Sequence, residues 1–453
     1  MNKLDEVIRE ASKLVLPNKE EEAKILNLTN LLMRKVKEEA NKSSYKPEVL
    51  LQGSIAKGTW LKDELDIDIF LRFPPTLNRE VFEKEGLGIG LRALSSYKPY
   101  LRYAEHPYVE AEVDTHKVNV VPCYKVEKGR WISAADRTPY HTDFIKRNLK
   151  EEQRLEVRLL KKFLKGIGTY GGEIQVQGFS GYVCEVLTLK FGSFLNTLNF
   201  LSNMREREIV SLNSIYEKFA ELRFSSPLIL IDPVDETRNL GEAIAYDKLA
   251  IAILSSRRIL ENPSLEFFLG KKIQDYEVIK ELYSNLILLY FKHSKRSVDI
   301  LWGQLRRSLK ALKRQLEIKG FKSFRAGIAS NNEDSSCFIF LLDSLNLSNY
   351  YLRTGPKVFS KEDCDRFLKK NNKNLLWIGD DGRLYSLIKR YKTHIIEVLS
   401  EIIESKQSGI SKGIFDELRN SFKIIVSKDI ENLKEDWIRN EVIKIAGKDK
   451  LFY

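Results

Sequence analysis

The chain has 453 residues, 43% of them hydrophobic, with 12 prolines and a formal charge of +12 from 75 Lys and Arg against 63 Asp and Glu. That length suits two to four domains, and the composition excludes a disordered chain. No apolar run is long enough to span a bilayer, and the opening "MNKLDEVIREASKLVLPNKEEE" lacks a secretory hydrophobic region, so a cytoplasmic protein with no membrane partner is expected. The basic excess favours a polyanionic partner. Cys123, Cys184, Cys337 and Cys364 lie far apart and the five histidines are scattered, which points to reduced structural thiols and away from a zinc site.

Residues 20–42 predict a long amphipathic helix, with Ile25, Leu28, Leu31, Leu32 and Val36 on one stripe. "PEVLLQGSIAKGTW" reads as a short strand, a Gly-Ser turn and a short helix. The strand "LDIDIFLRF" closes at Pro74-Pro75 and carries Asp66 and Asp68 on one face, because side chains alternate with a period of two. Two like charges that close repel, and a divalent cation between them is the economical reason to place them there. "YVEAEVDTHKVNVVPCY" reads as two strands joined around Asp114-Thr115 and ending at Pro122. These elements predict a mixed α/β module over residues 1–145.

Residues 153–167 turn helical, with Val157, Leu160, Leu164 and Ile167 on the buried side and Arg158, Lys161, Lys162 and Lys165 on the remaining surface. "GFSGYVCEVLTLKFGSF" reads as a buried helix, and "LILIDPVDETRNLGEAI" as a strand ending at Pro233 followed by a loop into a helix. From about residue 276 the pattern changes to a basic helix, strands around "SCFIFLLDSL", an "RTGPKV" turn and Lys-rich helices. Between Lys292 and Arg325 eleven basic residues stand against Asp299 and Glu317. Leu305, Leu309, Leu312 and Leu316 repeat at helical spacing there, leaving Arg306, Arg307, Lys310, Lys313 and Arg314 on the other faces. Either a solvated helix surface or a phosphate-tracking helix fits that pattern.

Gly53-Ser54, then Asp66 and Asp68, then a strand ending "VVPCY" resembles the nucleotidyltransferase superfamily that includes DNA polymerase beta. The blocks "GSIAKGTWL", "YAEHPYVE", "VVPCY", "ADRTPYHTDF", "EVRLLKKFLKGIGTYGGEIQVQGFSGYVCE", "DPVDETRN" and "RTGPKV" together resemble the archaeal, class I, CCA-adding tRNA nucleotidyltransferases, in the same order from about residue 50 to about 370. The resemblance implies an α+β multidomain fold: a polymerase beta-like nucleotidyltransferase head with a mixed sheet (1–145), a helical neck with the nucleotide-binding region (146–275), and an α/β body and tail that bind tRNA (276–453). It implies template-independent addition of C, C and A to a tRNA 3′ end from CTP and ATP, with two Mg²⁺ ions held by Asp66, Asp68 and the residue at position 119. Gly53, Ser54, Lys57, His141, Lys161, Tyr170 and Arg238 would form the nucleotide site, Arg238 reading the base edge. A homodimer is allowed, since composition sets no oligomeric state.

The family pattern has a third carboxylate just before "VVP", where this chain has Asn119. An amide is a neutral, weaker ligand and cannot accept a proton as a carboxylate does. Glu112 and Asp114 lie roughly 16 Å or more away along an extended strand, and His116 points to the opposite face if the strand is regular. An engineered inactivating substitution, a natural homologue of altered activity, and a relative kept for binding alone remain open. So does a nucleotidyltransferase of this fold acting on another RNA or a small acceptor, although a small acceptor needs no extended basic surface.

Overall fold

The structure is a computed structural model of the chain and describes residues 3–62, 65–103, 106–270, 276–405, 408–426 and 428–449. Asp63 and Glu64 ahead of the acidic strand, and Ala104 and Glu105 of the "YAEHPYVE" block, lie outside the described residues. The chain divides into two units, Met1–Lys271 and Lys272–Tyr453.

The first unit begins with α1 (Lys3–Val15) and α2 (Lys19–Lys42). A capping box starts α2: the Asn18 side chain accepts from the Glu21 amide and Glu21 accepts from the Asn18 amide. There follow β1 (Glu48–Gln52), the five-residue α3 (Gly53–Lys57), β2 (Asp66–Phe73), α4 (Arg79–Ala93), β3 (Tyr100–Tyr103), β4 (Pro107–Val113) and β5 (His116–Tyr124). The strands order as β1-β2-β5-β4-β3, with only β2 and β5 parallel. Ile67, Ile69, Leu71 and Phe73 of β2, Val109, Ala111 and Val113 of β4, and Val118 and Val120 of β5 form one core with Leu32 and Val36 of α2 and Phe82 and Ile89 of α4. Alternation therefore delivers Asp66, Asp68, Glu110, Glu112, Lys117 and Asn119 to the opposite face. β5 does not stop at Pro122 as expected. It runs on to Tyr124 beside β2, and its ladder with β4 ends at Val120, so one side of Pro122 has no ladder bond to lose.

Past the sheet come α5 (Thr138–Asn148), α6 (Glu151–Gly166), α7 (Gly181–Phe191), α8 (Phe194–Asn203), the parallel pair β6 (Glu208–Val210) and β7 (Leu228–Leu230) with α9 (Glu217–Arg223) between them, α10 (Tyr246–Glu261) and α11 (Glu266–Leu269). Helix α6 buries the expected Val157, Leu160 and Leu164, but also Arg158 and Lys161, which the sequence had placed on the surface. The cause is that α1, α7 and α11 all pack on α6, so it has no wide solvent face.

In the second unit, β8 (Tyr276–Val278) and β9 (Leu286–Lys292) lead into α12 (Val298–Lys319), β10 (Ser323–Ser330), β11 (Ser335–Leu342), β12 (Tyr350–Lys357), α13 (Lys361–Asn371), β13 (Leu375–Ile378), β14 (Arg383–Lys389), α14 (Ile395–Glu404), α15 (Lys412–Ser421) and β15 (Lys423–Val426). An antiparallel sheet of order β10-β11-β9-β15 is covered on both faces, and β12-β14-β13 form a second sheet. "RTGPKV" is therefore not a turn: Arg353 to Lys357 belong to β12, where the register slips between Thr354 and Lys357 and so accommodates Pro356. On α12, Leu305, Leu312 and Leu316 are buried, while Arg307, Lys310, Lys313 and Arg314 are exposed and Arg306 is half-buried. All four cysteines are free thiols, and burial pushes the Cys184 thiol up to about 12. Among the described residues no helix is long and apolar enough to cross a membrane.

Candidate active site

The pairing registers place Gln52, Asp68, Asn119, Glu110 and Tyr100 in one row across all five strands of the first sheet. Beside it runs a shorter row of Asp66, Lys117 and Glu112. Asp66 is exposed and Asp68 half-buried on the shared face. The turn between β4 and β5 is Asp114-Thr115, both with positive φ (48° and 70°), so the two strands fold straight back on each other. His116 pairs with the core residue Val113 and so faces away from Asn119, as expected.

Asp68 lies against the turn into α3. A Cβ on Gly53 would come within 2.2 Å of Asp68 Oδ2, and Gly53 also has a φ of +71°, so glycine is required here on both counts. Asn119 Nδ2 donates to Asp68 Oδ1 at 3.0 Å. Burial raises the Asp68 carboxyl above its ordinary range, and the Asn119 bond and the charge of Lys57 offset only part of that. Asn119 Oδ1 and Gln52 Oε1 flank Asp68 in the row as buried oxygens with no hydrogen-bond donor. A raised carboxylate between two unsatisfied acceptors is a place that wants a cation, and all-oxygen donors suit a hard divalent ion. The residues present therefore fit such an ion, although no group of three His, Cys, Asp or Glu side chains converges for one among the described residues.

Lys57, at the end of α3, is 8% exposed and its Nζ lies 2.6 Å from Glu185 Oε2. Glu185, fully buried on α7, also accepts from Thr59 Oγ1 at 2.6 Å and from Lys161 Nζ at 3.3 Å. Lys161 further donates to the Thr59 carbonyl (3.0 Å) and hydroxyl (3.1 Å). Burial works against both charges: it lowers Lys161, and for Glu185 it is outweighed by Lys57 and Lys161, which leave the carboxyl below its usual range. Lys161 Nζ and Tyr170 Oη approach the same point on α7, 3.4 Å and 3.3 Å from where a Gly181 side chain would begin. The structure thus brings Lys57, Lys161 and Tyr170 together, with the Lys161 ammonium already surrounded by acceptors.

Tyr182, three residues before Glu185, has its ring 5.8 Å from Lys57 Nζ and stacks on His141 at 3.9 Å. His141 Nε2 lies 2.9 Å from Asp232 Oδ2, Tyr182 donates to Asp232 Oδ1 at 3.1 Å, and Arg238 Nη1 donates to Asp232 Oδ2 at 3.3 Å. Burial alone would raise Asp232, but bonds from His141 and the Val234 amide and the charge of Arg238 hold it below the usual range. Arg238 stays 44% exposed, so its guanidinium can still meet a ligand. Glu185, Tyr182 and Asp232 are organising residues that the sequence reading missed. The signal was there, since a lone carboxylate inside "GYVCEVL" or at the end of "LILID" must find partners once buried.

Residues 33–154 match the nucleotidyltransferase domain family, 155–269 the second domain of tRNA nucleotidyltransferase, and 284–427 the C-terminal domain of CCA-adding enzyme. Relatives similar over most of the chain are the CCA-adding enzymes of Saccharolobus shibatae (36% identical, covering 86% of this chain and 90% of that protein) and Methanocaldococcus jannaschii (36%, 90% and 92%). The CCA-adding enzyme of Pyrobaculum islandicum is 37% identical over 88% of this chain and 93% of that protein. Among solved structures, Cid1 poly(U) polymerase is 13% identical with a TM-score of 0.44, covering 57% of this chain and 94% of that one.

Proposed function

Because the chain belongs to the CCA-adding enzymes, the tRNA nucleotidyltransferases of archaea, we propose that the Asp66–Asp68 face is where the tRNA end and the incoming nucleotide react. The reaction is template-independent addition of C, C and A to the tRNA 3′ end from CTP and ATP. Each step joins the terminal 3′ oxygen to the α-phosphorus, breaks the bond from that phosphorus to the bridging oxygen, and releases pyrophosphate and one proton. The observation that carries this reading is the row Gln52–Asp68–Asn119, in which the Asp68 carboxyl has as neighbours two side chains that each keep a buried oxygen without a donor.

Metal use is general for the fold. Here Asp66, Asp68 and Asn119 Oδ1 would hold Mg²⁺, in the two-ion arrangement expected from the sequence, and the ions would ease loss of the hydroxyl proton and neutralise charge on the departing pyrophosphate. Gly53 brings the α3 turn against Asp68, so Ser54 and Lys57 stand where a triphosphate would lie beside the carboxylates. Lys57 reaches it by exchanging Glu185 for phosphate oxygens, while Lys161 holds Thr59 and, with Tyr170, fixes the floor beneath. His141 and Arg238, oriented through Asp232, would meet the nucleotide's base end. On the second unit, Arg306, Arg307, Lys310, Lys313 and Arg314 would track tRNA phosphates.

A second reading, a tRNA-binding homologue with impaired chemistry, draws on Asn119 donating to Asp68 where a carboxylate would be expected. Incubation with tRNA lacking its CCA end and each labelled nucleotide separates the two. Stepwise incorporation of C, C and A supports the enzyme, and tight tRNA and nucleotide binding without incorporation supports the binder.

A further inference from the structure

Asn119 leaves the site one carboxylate short of its family pattern, and the chain distance to Glu112 or Asp114 offers no replacement. Across the ladder the answer differs. The two-residue turn at Asp114-Thr115 pairs Glu110 of β4 directly with Asn119. We propose that Glu110 supplies the site's third anionic group from the strand next to the one that normally carries it. The inference rests on the metal-dependent reading above.

Three observations support it. Glu110 is only 4% exposed although ionisable, and it sits on the same face and in the same row as Asp68 and Asn119. Its two hydrogen bonds, from the Tyr100 hydroxyl and from Arg102 Nη2 at 3.1 Å, both fall on Oε1 and leave Oε2 to neither. Neighbouring strands lie about 4.8 Å apart, so Glu110 stands two strands from Asp68, and its side chain is one methylene longer than the aspartate it would replace. Asn119 between them keeps an unsatisfied buried Oδ1, and Gln52 on the far side of Asp68, 4% exposed, keeps an unsatisfied Oε1. Among the described residues Glu110 does not converge with Asp66 and Asp68, so its carboxylate would turn from Arg102 toward Asn119 to meet an ion held by oxygens of β2 and β5.

The test titrates Mn²⁺ by electron paramagnetic resonance into the full chain with a non-hydrolysable CTP analogue, which needs neither tRNA nor turnover. E110Q keeps the acceptor for Tyr100 and Arg102 but removes the charge, and the weaker-bound ion should lose affinity by about tenfold or more. E110D keeps the charge but shortens the reach, and should lose comparable affinity. N119D added to E110Q should restore that affinity. R102M should not lower Mn²⁺ affinity, because it removes only one of the two partners of Oε1, and a positive one. Unchanged affinity in E110Q, or a loss that N119D fails to restore, would overturn the proposal and leave Glu110 as the anchor of Arg102. A wild-type chain that binds no Mn²⁺ with the analogue would instead sink the metal-dependent reading, and this proposal with it.

Discussion

Strands β2 and β11 are both eight residues long and both lie inside their sheets, yet they are used in opposite ways. Every residue of β11 is buried, with Phe338, Phe340 and Leu342 entering one core and Cys337, Ile339 and Leu341 the other. β2 gives its odd-numbered residues to one core, and its other face opens with Asp66 and Asp68 before the buried Phe70. A sheet covered on both sides can only be scaffold. One left open at the end of a parallel pair can hold charges in register, and the alternation of one strand is enough to separate the two roles.

The largest effect should come from emptying the open row. Asp68→Ala, and likewise Asp66→Ala, should cut nucleotide incorporation by about 10³-fold or more while the far-ultraviolet dichroism stays that of the parent, since neither side chain supports a core. A well-folded Asp68→Ala chain that still adds CCA would move the chemistry elsewhere. The converse substitution is Phe340→Ala in the closed sheet. It should destabilise the chain by about 3–5 kcal/mol, read by denaturant unfolding, and leave nucleotide affinity in the folded fraction unchanged. Equal effects of both substitutions on stability would erase the distinction between the strands.

Much of this contrast was legible in the sequence. Helix α2, the acidic strand, the Gly-Ser turn and the hairpin at Asp114-Thr115 follow from period and turn chemistry, and the seven ordered blocks pointed to the family that the relatives bear out. What escaped was whatever depends on the third dimension. Lys161 sat on a polar stripe, but three helices cover α6 and turn that stripe inward onto Glu185. Along the chain Glu112 is remote from Asn119, but a two-residue turn already fixes which residues face each other across the two strands. The same count that places Val113 opposite His116 places Glu110 opposite Asn119. Pro356 looked like a turn because a bulge that tolerates proline has no signature of its own.

A smaller effect tests the basic helix. Arg307 and Lys310 are exposed on α12, so reversing both to Glu should weaken tRNA binding about tenfold at moderate salt. It should also reduce the slope of log affinity against log salt by about two, roughly one per lost phosphate contact. CTP affinity should not move. An unaltered salt slope would mean that this face is merely solvated, as β11 is merely packed.

The smallest effect concerns the charge that makes the open row open. Burial raises the Asp68 carboxyl in the folded, metal-free chain above the value of about 3.9 it has when unfolded. Between those two values the folded state binds more protons than the unfolded one, so its stability falls as pH rises through the folded pKa. Asp68 therefore contributes a penalty at neutral pH that is relieved on acidification and is constant above the folded pKa. Asp68→Asn should remove it, raising the metal-free melting temperature by a few degrees at pH 7 and flattening the difference between the two proteins as the pH is lowered. Added Mg²⁺ or Mn²⁺ with nucleotide should stabilise the parent and not the variant, because a cation satisfies the same carboxylate that protonation does. The cation's midpoint should shift to higher concentration as pH falls, since proton and metal compete for one site. If Asp68→Asn melts below the parent in the absence of metal at pH 7, then the Asn119 bond and Lys57 outweigh the burial of Asp68, and the row is held together by its own hydrogen bonds without a cation.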